Sequence, residues 1–262
     1  MKIAHLSDIH FGRIAHPHIL DALFEDIEDA GVDVIAVSGD LTQRALPTQF
    51  SDAVVFLRRF TAPQIVVPGN HDVFPWWKPM ARLRKPVARF QDYFGEQLIR
   101  SFELPGLALL GINSAHGHTI KGGKITPATD RAIAEYFEKQ PAGVFKILML
   151  HHHLVTIDAL KPHDICIEGP ATFNTARRHG VNLILCGHVH VSHVESPDRD
   201  NAKNPVIASA GTATSDRGRR TNKLRNFYNL IEIQKDRFSI VERTYQPEER
   251  QYVTERETNL FR

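Results

Sequence analysis

Five short apolar runs in this chain each end in a cluster of Asp, Asn, Ser or His, and this repeated form constrains the fold more than any bulk property. Ile65-Val66-Val67 leads through Pro68 into Gly69-Asn70-His71-Asp72, and a first apolar run leads into Ser7-Asp8-Ile9-His10. Val34-Ile35-Ala36-Val37 leads into Ser38-Gly39-Asp40, and Ile147-Leu148-Met149-Leu150 into His151-His152-His153. Leu183-Ile184-Leu185-Cys186 leads into Gly187-His188-Val189-His190. Buried strands that deliver carboxylate, amide and imidazole groups to one rim of a sheet describe a metal site, because those groups are the oxygen and nitrogen donors of divalent ions. Turn-forming residues at loop tips explain each cluster alone, but not histidine at so many of them.

Between the clusters the periodicity changes from strand to helix. Pro17 precedes Leu20, Leu23, Phe24, Ile27 and Ala30, spaced for one helical face, and Gly31 closes that segment. Pro47 opens a second helix with Phe50, Val54, Leu57 and Phe60 turned inward. Strand, helix, strand, helix, strand is the rhythm of a parallel-type sheet covered by helices, and ligands collect beyond the carboxyl ends of such strands. Residues 74–105 break this rhythm as an irregular insert, with the aromatic loop Phe74-Pro75-Trp76-Trp77 and a helix that Pro86 splits. The two tryptophans are expected to pack on that helix, with stacking on a base or a lipid chain as the alternative. A strand at 107–112, a Gly/His loop with His116 and His118, a helix from Thr126-Pro127 and one from Gly169-Pro170 follow. Residues 205–245 read as antiparallel strands, and the charged last 15 or so residues as peripheral.

The 262 residues suit one large α/β domain spanning 1–262, since no linker or repeat divides them. A net charge of +2 argues against a nucleic-acid specialist, although Asp216 to Arg225 is locally basic and is placed to gather an anionic substrate if it returns to the rim. Cys166 and Cys186 make no disulfide framework, and the chain enters a strand pattern without a leader-like segment, so a cytoplasmic location is expected. No apolar run approaches the roughly 18 residues of a membrane span. The C-terminal strand region is open to pairing in a homodimer, though no feature demands one.

The ordered set Asp8-Ile9-His10, Gly39-Asp40, Gly69-Asn70-His71-Asp72, His151 and Gly187-His188-Val189-His190 resembles the calcineurin-like metallophosphoesterases, in particular their bacterial cyclic-nucleotide phosphodiesterase-like branch. The resemblance implies a four-layer α/β/β/α sandwich of two mixed sheets flanked by helices, with two divalent ions (Mn, Fe or Zn). It assigns Asp8, His10 and His190 to one metal, Asn70, His151 and His188 to the other, and Asp40 to both. It makes His71 the residue that protonates the leaving alkoxide or orients the phosphate, with Asp72 holding His71 or its loop. Where the family has His-His-Pro, this chain has three histidines. His151 is chosen as ligand, with His152 pointing away and His153 free to approach substrate. The implied reaction is attack of a metal-bound hydroxide on a small phosphodiester, a 3',5'-cyclic nucleotide foremost. Alternatives are hydrolysis of a phospholipid-like or nucleotide-sugar pyrophosphate, a nuclease, and a non-catalytic scaffold.

Overall fold

The apolar runs become strands and the amphipathic segments become helices in the computed structural model, which describes residues 1–119, 121–160, 162–195, 204–219 and 222–261. The first sheet is built on β1 (Lys2–Leu6), β2 (Val34–Val37) and β3 (Gln64–Val66), which run parallel. On its other side β1 pairs antiparallel with β10 (Phe227–Ile233), followed outward by β11 (Arg237–Gln246) and β12 (Gln251–Phe261). The second sheet has β4 (Ile99–Leu104), β5 (Leu107–Ile112), β6 (Phe145–Met149), β7 (Leu183–Cys186), β9 (Val206–Ser209) and β8 (His193–Glu195), in that spatial order. Within it β5, β6, β7 and β9 are parallel.

Alternation along the strands makes the layers. Ile3, Val34, Ala36, Ile65 and Val67 face Leu109, Phe145, Ile147, Met149, Leu183 and Leu185 across the space between the sheets. Phe145 of one sheet meets Phe238 of the other edge to face, with ring centroids 5.0 Å apart. Ala4, Leu6, Ile35 and Val37 point the other way, into a core shared with α1 (Ile19–Ala30), α2 (Pro47–Leu57) and α4 (Ala88–Phe94). Leu110, Leu148 and Ile184 likewise pack under α5 (Pro127–Glu138) and α6 (Gly169–Arg178). This is the four-layer α/β/β/α sandwich with mixed sheets. Gly31 closes α1 in the left-handed conformation, φ 61°, where a side chain is disfavoured. Thr126 caps α5 by accepting a hydrogen bond from the Thr129 amide, 3.1 Å.

Several expectations need correction. The 74–105 insert is more regular than its composition suggests: α3 (Pro79–Arg84) and α4 flank Pro86, and β4 pairs with β5 across the Pro105-Gly106 turn. The inward face of α2 uses Ala53 and Phe56 rather than Val54. β9 is parallel to β7, so only β10 to β12 form the antiparallel run. The charged terminus is β12, an eleven-residue edge strand whose Glu and Arg side chains suit an unpaired sheet edge. Arg243 ties this strand to α1, donating to the Tyr252 carbonyl at 2.9 Å while it pairs with Asp26.

Phe50 is fully buried, stacked on Tyr93 at 5.4 Å and near Phe94 at 6.5 Å. Phe50→Ala is expected to lower unfolding free energy by about 3–5 kcal/mol in a denaturant titration, the range for a buried phenylalanine that leaves a cavity.

Candidate metal centre

Every polar cluster singled out above lies just past the carboxyl end of β1, β2, β3, β6 or β7, so the two sheets deliver them to a common rim. The backbone turns sharply there. Asp8, His10 and Asp40 have φ 53°, His188 φ 70° and His190 φ 57°, all in the left-handed region that costs non-glycine residues roughly 1–3 kcal/mol each. Two glycines allow the strand ends to close on one another. A Cβ on Gly69 would lie 2.2 Å from an Asp40 carboxylate oxygen, and one on Gly187 would lie 1.8 Å from the Ser7 hydroxyl.

Two donor sets result. In the first, His190 Nε2 is 3.0 Å and His10 Nε2 3.6 Å from Asp8 Oδ1, and the two imidazole nitrogens are 3.4 Å apart. His10 Nε2 is also 3.6 Å from Asp40 Oδ2. In the second, His151 Nε2 is 3.2 Å from Asn70 Oδ1 and 3.4 Å from the same Asp40 Oδ2, while His188 Nδ1 is 2.9 Å from Asn70 Oδ1. Asp40 Oδ2 thus stands between the sets. Its other oxygen accepts the His71 amide at 2.7 Å.

The outer nitrogens fix which inner ones are free. His10, His151 and His190 each direct Nδ1 to a backbone carbonyl, of Thr42, Ser38 and Arg217 at 3.3, 2.7 and 2.9 Å. A carbonyl only accepts, so Nδ1 carries the hydrogen and Nε2 is the donor to a cation. Asp8 Oδ1 and Asp40 Oδ2 are buried carboxylate oxygens with no hydrogen-bond partner. Two negative oxygens in that state, each facing imidazole nitrogens, fit divalent cations as the missing partners.

The electrostatics agree. Burial alone would raise both carboxylic acids, but the surrounding histidines, His190 and His10 for Asp8 and His151 and His71 for Asp40, hold them well below the usual carboxylate range. Burial opposes charge on His151, yet Asp40 overrides it and brings the imidazole up to about 9. Without a cation a proton therefore takes its place between His151 and Asp40. Burial holds His10 down to about 4 and His188 to about 3, leaving both rings neutral and able to ligate.

The family description "Calcineurin-like phosphoesterase" matches residues 1–192. The chain belongs to the calcineurin-like phosphoesterase family. It is therefore a metal-dependent phosphoric ester hydrolase. It is 24% identical over 189 residues to a "Probable cyclic nucleotide phosphodiesterase" of Vesicomyosocius okutanii, covering 71% of this chain and 75% of that one. It is 25% identical over 209 residues to another of that description from Synechococcus, covering 74% and 75%. Among solved structures it superposes on yellow lupin purple acid phosphatase PPD1 with TM-score 0.73 at 10% identity, over 100% of this chain and 54% of that one, and on Entamoeba histolytica Vps29 complexed with Zn with TM-score 0.52 at 14% identity, over 99% of each. At those identities the likeness is one of fold.

The phosphoesterase's remaining candidates divide. His71 lines a cavity of about 500 Å³ together with Asp40, Asn70, His188 and His190. Its ring Nδ1 donates to the Gln43 carbonyl at 2.8 Å, which leaves Nε2 for the cavity. Asp72 holds the loop, not the His71 ring: its carboxylate accepts from the amides of Leu41, Thr42 and Gly69 and from the Thr42 hydroxyl, at 2.9 to 3.1 Å. His152 does not point away as its place in the strand suggests. It is buried, with its donor atom within 4.8 Å of those of His151 and His188 and Nδ1 against the Ser114 hydroxyl at 2.9 Å. His153 is buried beside His163, ring centroids 5.0 Å apart, and does not line the cavity. Neither His116 nor His118 lines it. The basic segment does return to the rim through Arg217 and Arg219, while Arg220 and Thr221 lie outside the described residues. Gln43 and Arg44, also at the cavity, were missed by sequence reasoning. The signal was their place on the Asp40 loop, three and four residues past the carboxylate.

No helix among the described residues is long and apolar enough to cross a membrane.

Proposed function

We propose that this chain is a binuclear phosphodiesterase acting on a small phosphodiester, with a 3',5'-cyclic nucleotide as the first substrate to test. In this reading Asp8, His10 and His190 hold one divalent ion, Asn70, His151 and His188 hold the other, and Asp40 serves both. Mn, Fe and Zn all accept this oxygen and nitrogen set. The observation that carries the reading is the partnerless Asp40 Oδ2, 3.6 Å from one imidazole nitrogen and 3.4 Å from another in a buried site. When bound, such a pair supplies a water-derived nucleophile at neutral pH and positive charge at phosphorus.

The chain's own groups orient the ester. Arg217, held by the Gln43 side chain at 3.1 Å, brings a guanidinium into the cavity for the phosphate oxygens. Burial lowers the His71 pKa against the pull of Asp40, so the ring is neutral at pH 7, with its one hydrogen on Nδ1. Nε2 then accepts, and His71 positions water or phosphate-bound hydrogen in its neutral form. It donates to a leaving alkoxide only after gaining a second proton.

The test is metal analysis of purified protein together with turnover of cyclic AMP and of bis(p-nitrophenyl) phosphate in Mn. Two equivalents of metal and hydrolysis of both esters are expected, and absence of turnover beside a working control sinks the reading. Metal at 100 times its dissociation constant should add about 2.7 kcal/mol of stability for each site filled, seen as a rise in Tm that EDTA reverses. Because a cation must displace the His151 proton, its affinity should weaken as pH falls below about 9, read from metal titrations at several pH values.

A further inference from the structure

The cavity that takes in Asp40, His71 and His188 also takes in both tryptophans of the chain. Neither is buried in the core. Trp76 is 78% exposed and Trp77 43%, set edge to face with ring centroids 5.7 Å apart. The backbone beneath them is fixed. Arg82 donates to the carbonyls of Phe74, Gly117 and Thr119 at 2.7, 3.0 and 2.7 Å, and Arg89 lies 4.7 Å over the Phe74 ring while donating to the Ala45 carbonyl. A loop anchored at this many points, yet leaving two indoles uncovered at a catalytic rim, is a preformed surface.

Charge decides what that surface takes. The Arg44 guanidinium is 5.7 Å from the Trp77 ring centroid, and Arg217, Arg219 and Lys121 line the same cavity. An acyl chain laid there would strip water from several cations, and beside the two indoles the wall offers it only Val73 and Pro75 as apolar side chains. A flat, polar-edged ring avoids that penalty, since its face stacks on indole while its edge stays beside the cations. A cavity of about 500 Å³ is also the size of a small-ligand site.

We propose that Trp76 and Trp77, with Arg44, form a base-stacking subsite, so that the ester hydrolysed is that of a nucleoside. This rests on the phosphodiesterase reading for the reaction but not for the binding.

Because the chain has no other tryptophan, indole fluorescence reports this surface alone. Metal-free protein should show saturable quenching by AMP and none by ribose 5-phosphate, and Trp76→Ala and Trp77→Ala, taken singly, should show which ring carries the response. Equal responses to the two ligands, or no response to AMP, overturn the proposal. So does a blue shift with phosphatidylcholine vesicles in place of the AMP response. With Mn bound, Trp77→Ala should raise KM for cyclic AMP about tenfold relative to that for glycerophosphoethanolamine, with Trp77→Phe restoring most of it. Equal KM changes for the two esters count against stacking. Failure of the wild type to hydrolyse either ester defeats the phosphodiesterase reading and leaves the fluorescence result standing by itself.

Discussion

Asp40→Asn is expected to remove both metals and with them all measurable turnover. The substitution keeps the oxygen that accepts the His71 amide, so the turn after β3 survives. What disappears is the charge on Oδ2, the atom 3.6 Å from His10 and 3.4 Å from His151. Loss of an outer hydrogen-bond partner of a ligand costs roughly 10- to 100-fold in affinity or activity, and loss of an anionic ligand common to two ions should exceed that. Metal content by mass spectrometry and turnover in Mn are the readouts, with circular dichroism to show that the fold persists. An Asn variant that retains two equivalents of metal and normal turnover would remove Asp40 from the centre of the site.

His71→Ala separates chemistry from metal holding. The backbone amide that steadies Asp40 is unaffected by truncation, and no metal in the proposed scheme uses this ring. Turnover should fall by roughly 10²- to 10⁴-fold, the range for a positioned proton-transfer group, at unchanged metal stoichiometry. Loss of metal alongside activity would make His71 structural. Unchanged turnover would mean that the ring contributes nothing, as in a scaffold.

The site was legible because its donors come from strand ends, and strands announce themselves as apolar runs. Asp8, Asp40, Asn70, His151 and His188 each follow such a run by a few residues, so one topological rule places them together. The groups that orient them were not legible. Ser38, Thr42, Gln43 and Arg217 hold His151, His10, His71 and His190 through backbone carbonyls, which carry no residue signature. Alternation also misled at the histidine triplet, because past β6 the chain stops being extended and His152 no longer takes the opposite face. In the fold, β12 was hidden by its charges: Glu255, Arg256 and Glu257 suit an edge and resemble a solvated tail. Trp76 and Trp77 were read as packing residues because apolar rings ordinarily are. Their exposure at the cavity, on a loop whose backbone Arg82 and Arg89 hold, is a tertiary fact with no mark in the sequence.

The five left-handed residues imply an antagonism between robustness and reactivity. Asp and His tolerate that conformation better than most side chains, yet a glycine there would relax the chain while deleting a donor. A laboratory selection that rewards heat resistance alone, in medium stripped of divalent ions, should therefore drift toward inert variants with relaxed rim turns. Survivors of the same selection with manganese present should keep all five.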